Sequence, residues 1–259
     1  MKHETFWFTQ VDEETDQQLK RITPFMKDRY IPDQSTHEQV IQQIAILNAF
    51  AASRNLRFVE VDRFQRLNYC YICRLIKPDR THHCMSCGHC VVKYDHHCPW
   101  INKCVSYNNY KFFLLYLFYG CLCIIWSLST SLESIVRFFV NANWSEEWFD
   151  FLQIFVCVTT QMGFGYYPLG ELLWYHYKLI KVNETTCEQA KIANILNDPK
   201  ADFNVGLYRN VRAVFGWGLW LIPVTTQVAD GLHFPVRYSD AAIGPKYILK
   251  AEYDKKNTK

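Results

Sequence analysis

Between Cys70 and Cys104 the chain reads Cys70-x-x-Cys73, then His83-Cys84-x-x-Cys87-x-x-Cys90, then Asp95-His96-His97-Cys98-Pro99-Trp100, and it closes on Cys104. Seven of the eleven cysteines fall within these 35 residues, together with His82, His83, His89, His96 and His97. Eight residues after Cys104 an uncharged apolar run begins, from Phe112 to Leu132. A cysteine-rich, metal-binding module joined directly to a membrane helix is the reading from which the rest follows.

Ligand counting sharpens it. Tetrahedral structural zinc takes four thiolate or imidazole ligands, and a Cys-x-x-Cys pair supplies two of them at the right separation. Two ions need eight ligands, which six cysteines and two histidines provide, so one cysteine is spare. Cys98 is the candidate, with two histidines and an aspartate on one side and Pro99-Trp100 on the other. A thiol near a histidine that a carboxylate can orient is an activated-nucleophile arrangement. From spacing alone, a purely structural module with Cys98 among its ligands stays open. No role follows for His82 or His89 beyond the surface or the surroundings of a ligand.

Composition sets the outer bounds. A length of 259 residues leaves room for one membrane unit with flanks, not for two large soluble domains. The net charge of +3 comes from basic residues scattered among acids, which argues against a nucleic-acid partner. Metal-like spacing and a thiolate nucleophile both require a reducing compartment, so the module faces the cytosol. The segment 1–10 lacks the apolar core of a signal peptide.

Phe112 to Leu132 is 21 residues, about 32 Å as a helix and enough to cross a bilayer. A second uncharged run, Phe151 to Gly170, is more polar, with Gln153, Thr159, Thr160 and Gln161. It reads as a second span, with a buried soluble helix as the alternative. Trp144, Trp148, Trp174 and Tyr175 stand where interfacial aromatics belong, and the connecting loop 141–150 carries acids but no Lys or Arg. Lys103, Lys111, Lys178 and Lys181 lie outside the pair and place both outer flanks in the cytosol. Asn143-Trp144-Ser145 is a glycosylation sequon in a loop short enough to hold it against the membrane. Upstream, Ser35-x-x-Glu38 predicts a capping box that opens a helix to about Ser53, with Val40, Ile44 and Leu47 on one face. Phe58 to Leu67 reads as extended, Asp198 to Gly206 as a loop, Val205 to Leu221 as a short helix against the membrane-facing surface, and 251–259 as a charged tail.

These motifs carry a family resemblance. Cys-x-x-Cys-x-x-x-Lys-Pro-x-Arg, His-Cys-x-x-Cys-x-x-Cys, Asp-His-His-Cys-Pro-Trp and Asn109-Tyr110-Lys111-Phe112-Phe113 resemble, without a gap, the cysteine-rich domain of the DHHC protein S-acyltransferases. Thr185-Thr186-Cys187-Glu188 is similar to that family's Thr-Thr-x-Glu motif, and Asn210 to Gly216 to its C-terminal asparagine motif. Trp220-Leu221-Ile222-Pro223, Asp230-Gly231 and Phe234-Pro235 also resemble it.

The resemblance implies two structural zinc ions, one on Cys70, Cys73, His83 and Cys90, the other on Cys84, Cys87, His97 and Cys104. His96 is then left as general base for Cys98, oriented by Asp95. It implies an acyl cavity near Trp100, Phe113 and Tyr116, with Thr186 bonded near Asp95 and Asn210 tying the C-terminal segment to helix ends. Helical spacing adds Tyr119 and Cys123 to the face of Tyr116. Lys77 and Arg80 read either as contacts for CoA phosphates or as a solvated basic pair. The implied substrates are palmitoyl-CoA or a similar long-chain acyl-CoA and cytosolic or membrane proteins with a cysteine near the membrane lipid.

The expected fold is a mainly α membrane protein with two transmembrane helices and a small zinc-stabilised domain of β-hairpins and loops. The expected organisation is a linker with an amphipathic helix over 1–67, the cysteine-rich domain over 68–111, the helix pair over 112–177 and a cytosolic region over 178–259. The expected location is multi-pass in an endomembrane or the plasma membrane, with the active site toward the cytosol. The family has four membrane helices, two of them before the cysteine-rich domain, so the chain reads as N-terminally truncated. The competing function is a zinc-stabilised membrane adaptor impaired in catalysis.

Overall fold

The computed structural model describes residues 8–141, 148–191, 193–198, 200–226 and 231–239. Trp144, the Asn143 sequon, Asp230, the tail 251–259 and most of segment 1–10 lie outside the described residues.

Helix α1 spans Glu13–Ile22 and opens where the Asp12 carboxylate accepts from Thr15 N–H. Strands β1 (Phe25–Met26) and β2 (Arg29–Tyr30) form a small hairpin before α2, His37–Ser53. The capping box of α2 is Thr36 with Gln39, one residue later than the Ser35–Glu38 pair. Ser35 instead closes the preceding turn, Pro32–Gln34, and its hydroxyl accepts from Gln43. Val40 and Leu47 of α2 are buried, and Leu47 shares a core with Val11, Leu19, Phe50, Phe58 and Ile76. Strand β3 is only Glu60–Val61, so the stretch expected to be extended is mostly loop.

The cysteine-rich region is three antiparallel hairpins in series. Strand β4 (Tyr69–Cys70) pairs with β5 (Leu75–Ile76), β6 (His82–Cys84) with β7 (His89–Val91), and β8 (His96–Cys98) with β9 (Lys103–Val105). Such short strands cannot hold themselves by ladder bonds alone, and small modules of this size depend on metal or disulfide staples.

Helix α3 spans Tyr110–Asn141, longer at both ends than the apolar run. Among the described residues it alone is long and apolar enough to cross a membrane, over Tyr110–Arg137. Helix α4 (Trp148–Thr160), a π-helical segment Gln161–Tyr166 and α5 (Tyr167–Val182) follow one another without a break. Gly165 sits in the π segment, where a Cβ would come within 2.8 Å of the Ile124 side chain. The widened turn therefore brings this backbone close to α3, where a larger residue would have to push the Ile124 δ-methyl aside.

Asn183 ends α5 in the left-handed conformation, φ 56°. Helix α6 (Thr186–Ala190) starts directly after it, strand β10 (Asn194–Ile195) pairs back to β3, and α7 spans Leu207–Phe215. A second core joins Cys98 and Val105 of the third hairpin to Tyr110, Phe113, Leu114 and Leu117 of α3, Ile180 of α5 and Val214 of α7. The reactive-cysteine candidate is thus packed into the helix junction.

Candidate active site and metal centres

Strand geometry distributes the histidines and cysteines. Successive side chains on a strand point to opposite faces. On β8, His96 and Cys98 therefore share one face and His97 takes the other. His97 pairs across the hairpin with Cys104, and these two meet Cys84 and Cys87. On β6 the same alternation sends His83 toward its cross-strand partner Cys90, where Cys70 and Cys73 join it, while Cys84 turns to the other cluster. The donor atoms of each foursome lie within 4.8 Å of one another.

The donor sets fit zinc. An ion bound at about 2.3 Å to sulfur and about 2.0–2.1 Å to nitrogen has tetrahedral sulfur–nitrogen edges of about 3.5 Å. Nδ1 of His83 lies 3.5, 3.3 and 3.9 Å from the sulfurs of Cys70, Cys73 and Cys90. Nδ1 of His97 lies 3.7, 3.4 and 3.7 Å from those of Cys84, Cys87 and Cys104. Four soft donors at such edges, with the eleven cysteines all free of disulfides, are the chemistry of a closed structural site.

On the opposite face of β8, His96 Nδ1–H donates to Asp95 Oδ2 at 2.7 Å. That bond leaves Nε2 as the basic nitrogen. Asp95 is itself buried and anchored three ways: its N–H donates to Val105 O at 3.0 Å, its Oδ1 accepts from Thr186 N–H at 3.0 Å, and its carbonyl accepts from the Thr186 hydroxyl at 2.7 Å. Cys98 is 6% exposed.

Helix α6 explains how Thr186 arrives there. Thr185 caps the helix, with its hydroxyl accepting from Glu188 N–H and its own N–H donating to Glu188 Oε2. Thr186, the next residue, faces Asp95. Glu188 also receives Arg80, whose Nε and Nη2 donate to its two oxygens at 2.6 and 2.5 Å. Burial pushes the Glu188 carboxyl up, but the guanidinium overrides it and holds the group below its ordinary value.

Arg80 is accordingly no contact for CoA phosphates. It is fully buried, also donates to the side chain and carbonyl of Asn183, and lies over the rings of Phe203 and Phe234. Lys77 is half-buried and keeps a solvent-facing part. Asn210 donates to Lys181 O at the end of α5 and accepts from Val205 N–H, which joins α7 to α5.

The residues expected around the acyl chain differ in exposure, and all but Trp100 lie on α3. Phe113 is buried with its ring edge-on to His96, 5.3 Å between centroids. Trp100 is 95% exposed, and Tyr116 and Cys123 are exposed on α3. The Tyr119 hydroxyl donates to Leu221 O. An open apolar cleft of about 490 Å³ also runs between α3 and α5, with Phe118, Cys121, Ile125 and Leu173 among its walls. Sequence reading also passed over His176, which stands fully buried beside Asp95 and His96. A histidine among Trp174, Tyr175 and Tyr177 carries no spacing signal of its own.

Comparison with known proteins agrees with this geometry. Residues 63–193 match the family described as DHHC palmitoyltransferase. The chain is 50% identical over 225 residues to palmitoyltransferase spe-10 of Caenorhabditis elegans, covering 87% of this chain and 64% of that protein. It is 38% identical over 187 residues to palmitoyltransferase ZDHHC15 of Xenopus laevis, covering 71% and 54%, and 37% identical over 189 residues to human palmitoyltransferase ZDHHC20, covering 72% and 51%. The chain thus spans between half and two thirds of the length of these relatives. With the matched segment covering the hairpins, α3, α5 and the Thr185–Glu188 turn, the chain belongs to the DHHC palmitoyltransferase family.

Proposed function

We propose that the protein is a protein S-acyltransferase that moves a long-chain acyl group, palmitoyl in the first instance, from acyl-CoA to cysteine thiols of target proteins. The observation that carries this reading is the placement of His96, bonded to Asp95, on the same strand face as Cys98. His96 Nε2 takes the proton from Cys98 Sγ, and the thiolate attacks the thioester carbonyl. The carbon–sulfur bond to CoA breaks, and the departing CoA thiolate recovers the proton from His96. A target cysteine then attacks the acyl-Cys98 thioester, loses its proton to His96, and releases Cys98, which is reprotonated. Each step exchanges one thioester for another, so no external energy source is needed. Asp95 keeps the proton of the neutral imidazole on Nδ1 and stabilises the imidazolium.

Two zinc ions, one in each foursome, would act structurally, since protein donors fill every place in a four-coordinate site. The serial segments α4 to α5 would supply a second span beside α3, with the active site on the cytosolic side of an endomembrane or plasma membrane. Phe113, Tyr116, Tyr119 and Cys123 would face the acyl chain, Trp100 the adjoining membrane surface, and Lys77 the CoA phosphates. Target proteins would present a cysteine close to the bilayer.

Incubation of purified protein with a labelled long-chain acyl-CoA tests this. Hydroxylamine-sensitive label should appear on the wild type and be absent from Cys98→Ser. Labelling of Cys98→Ser at the wild-type level would overturn the assignment.

A further inference from the structure

His176 lies on α5 and no step above uses it. It is fully buried, and its Nδ1 is 2.9 Å from the Tyr110 hydroxyl at the start of α3. Its Nε2 is buried and, among the described residues, has no hydrogen-bond partner. One of its nitrogens lies within 4.8 Å of both an Asp95 carboxylate oxygen and a His96 nitrogen. The His176 ring is 6.2 Å from that of His96 between centroids, and Phe113 stands edge-on to both, at 5.1 Å from His176 and 5.3 Å from His96.

An unpartnered buried polar atom is costly to stability, and each one in a native protein calls for a reason such as a functional role. A phenylalanine here would fill similar space without that cost. The alternative of a metal shared by Asp95, His96 and His176 is disfavoured. Asp95 Oδ2 is already committed to His96 Nδ1 at 2.7 Å, and its Oδ1 to the Thr186 N–H.

We propose that His176 is a positioning residue of the acyl-transfer site. Tyr110 fixes the His176 ring, and His176 and Phe113 together form the wall that holds the His96 imidazole in line with Cys98. The pair Tyr110–His176 thereby ties the orientation of the base to the packing of α3 against α5, the two helices that border the apolar cleft. This inference rests on the acyl-transfer reading.

Its consequence separates rate from binding. Misplacing a catalytic group by an ångström can cost on the order of a hundredfold in rate. His176 is fully buried, so the effect should fall on the rate at saturating acyl-CoA and leave apparent KM within about twofold. Replacing both members of a buried polar pair by apolar groups of the same shape is close to neutral or stabilising. The variant Tyr110→Phe/His176→Phe should therefore match or exceed the wild type in thermal stability.

The experiment measures single-turnover acylation of Cys98 on purified protein, with metal content and Tm, for the wild type, Tyr110→Phe, His176→Phe, His176→Gln and the double variant. Expected is a drop of about 10- to 100-fold for His176→Phe and the double variant, with metal content retained, and partial recovery in His176→Gln. A rate within twofold of the wild type, or a loss that parallels loss of metal or of Tm, would overturn the proposal. If His176→Phe does not fold, Tyr110→Phe decides: a drop of about fivefold or more supports it, and an unchanged rate refutes it. No label on wild-type Cys98 would instead defeat the acyl-transfer reading itself.

Discussion

Arg80 and Glu188 stand 108 positions apart in the chain and meet as a bidentate pair, Nη2 to Oε2 at 2.5 Å, with Arg80 wholly shielded from solvent. The pair locks the second hairpin onto the turn that carries Thr186, and through Thr186 it bears on Asp95. Removing one partner of a buried pair costs about 3–5 kcal/mol because the other charge is left alone. Arg80→Ala and Glu188→Ala should each destabilise the protein by about that amount in denaturant titrations. The double variant Arg80→Met/Glu188→Leu should lose clearly less than the sum of the single losses. If Arg80→Ala raised the KM for acyl-CoA at unchanged stability, the assignment of Arg80 as a structural brace would be wrong.

Metal analysis should find two zinc ions per chain. Cys98→Ser should keep both, because that thiol lies on the face of β8 opposite His97. Cys87→Ser should lose one ion and destabilise the module. Loss of metal from Cys98→Ser would place Cys98 among the ligands.

Glu60 gives a pH signature. It is buried beside Glu188 and Asp79 and accepts the Arg80 N–H, and burial pushes its carboxyl from an ordinary 4.5 up to about 7. Between those values the folded chain holds a proton that the unfolded chain has released. Stability therefore falls as pH rises from about 4.5 to about 7, by up to about 3 kcal/mol, and levels off above. Asp79, pushed by burial to about 6, adds in the same direction. Glu60→Gln should be more stable than the wild type at pH 8 and show a shallower decline across this window. An unchanged slope in denaturation at pH 5, 6, 7 and 8 would remove Glu60 as its source.

Cys123 lies on the exposed side of α3 with Tyr116, whereas Cys121 lines the cleft against α5. With the acyl chain along the Cys123 side, Cys123→Trp should shift preference toward shorter acyl-CoAs, read as the ratio of labelling by C14 and C18 donors. A shift in Cys121→Trp but not in Cys123→Trp would put the chain in the cleft.

What the sequence makes legible here is local. Cys-x-x-Cys spacing and a period-two strand suffice to divide donors between two foursomes, because both act within a few residues. Arg80 was not legible, since a basic residue three positions after Lys77 looks solvated until a glutamate more than a hundred residues away covers it. The start of α2 shows the same limit at short range. Ser35-x-x-Glu38 and Thr36-x-x-Gln39 both satisfy the capping pattern, and in the fold Ser35 is taken up by the preceding turn and by Gln43. Helix α1 carries few apolar residues and is held by tertiary contacts, such as the Tyr69 hydroxyl on Asp16, that no window of sequence contains. His176 escaped for a different reason: its partners sit on another helix and another hairpin.

Strand β8 places a zinc-fitting donor, His97, and the proposed nucleophile, Cys98, on opposite sides of three consecutive residues. Its tolerance to length change is therefore zero in a way that its tolerance to side-chain change is not. One residue inserted between His96 and Cys98 would reverse the side to which Cys98 points, turning it toward the cysteine cluster and away from its base. It also means that the strand can be disarmed from behind. With zinc held in that foursome, an oxidant or chelator that removed it from His97 and Cys104 would slacken the hairpin that carries Cys98, and would silence the proposed thiol chemistry without ever reacting with that thiol.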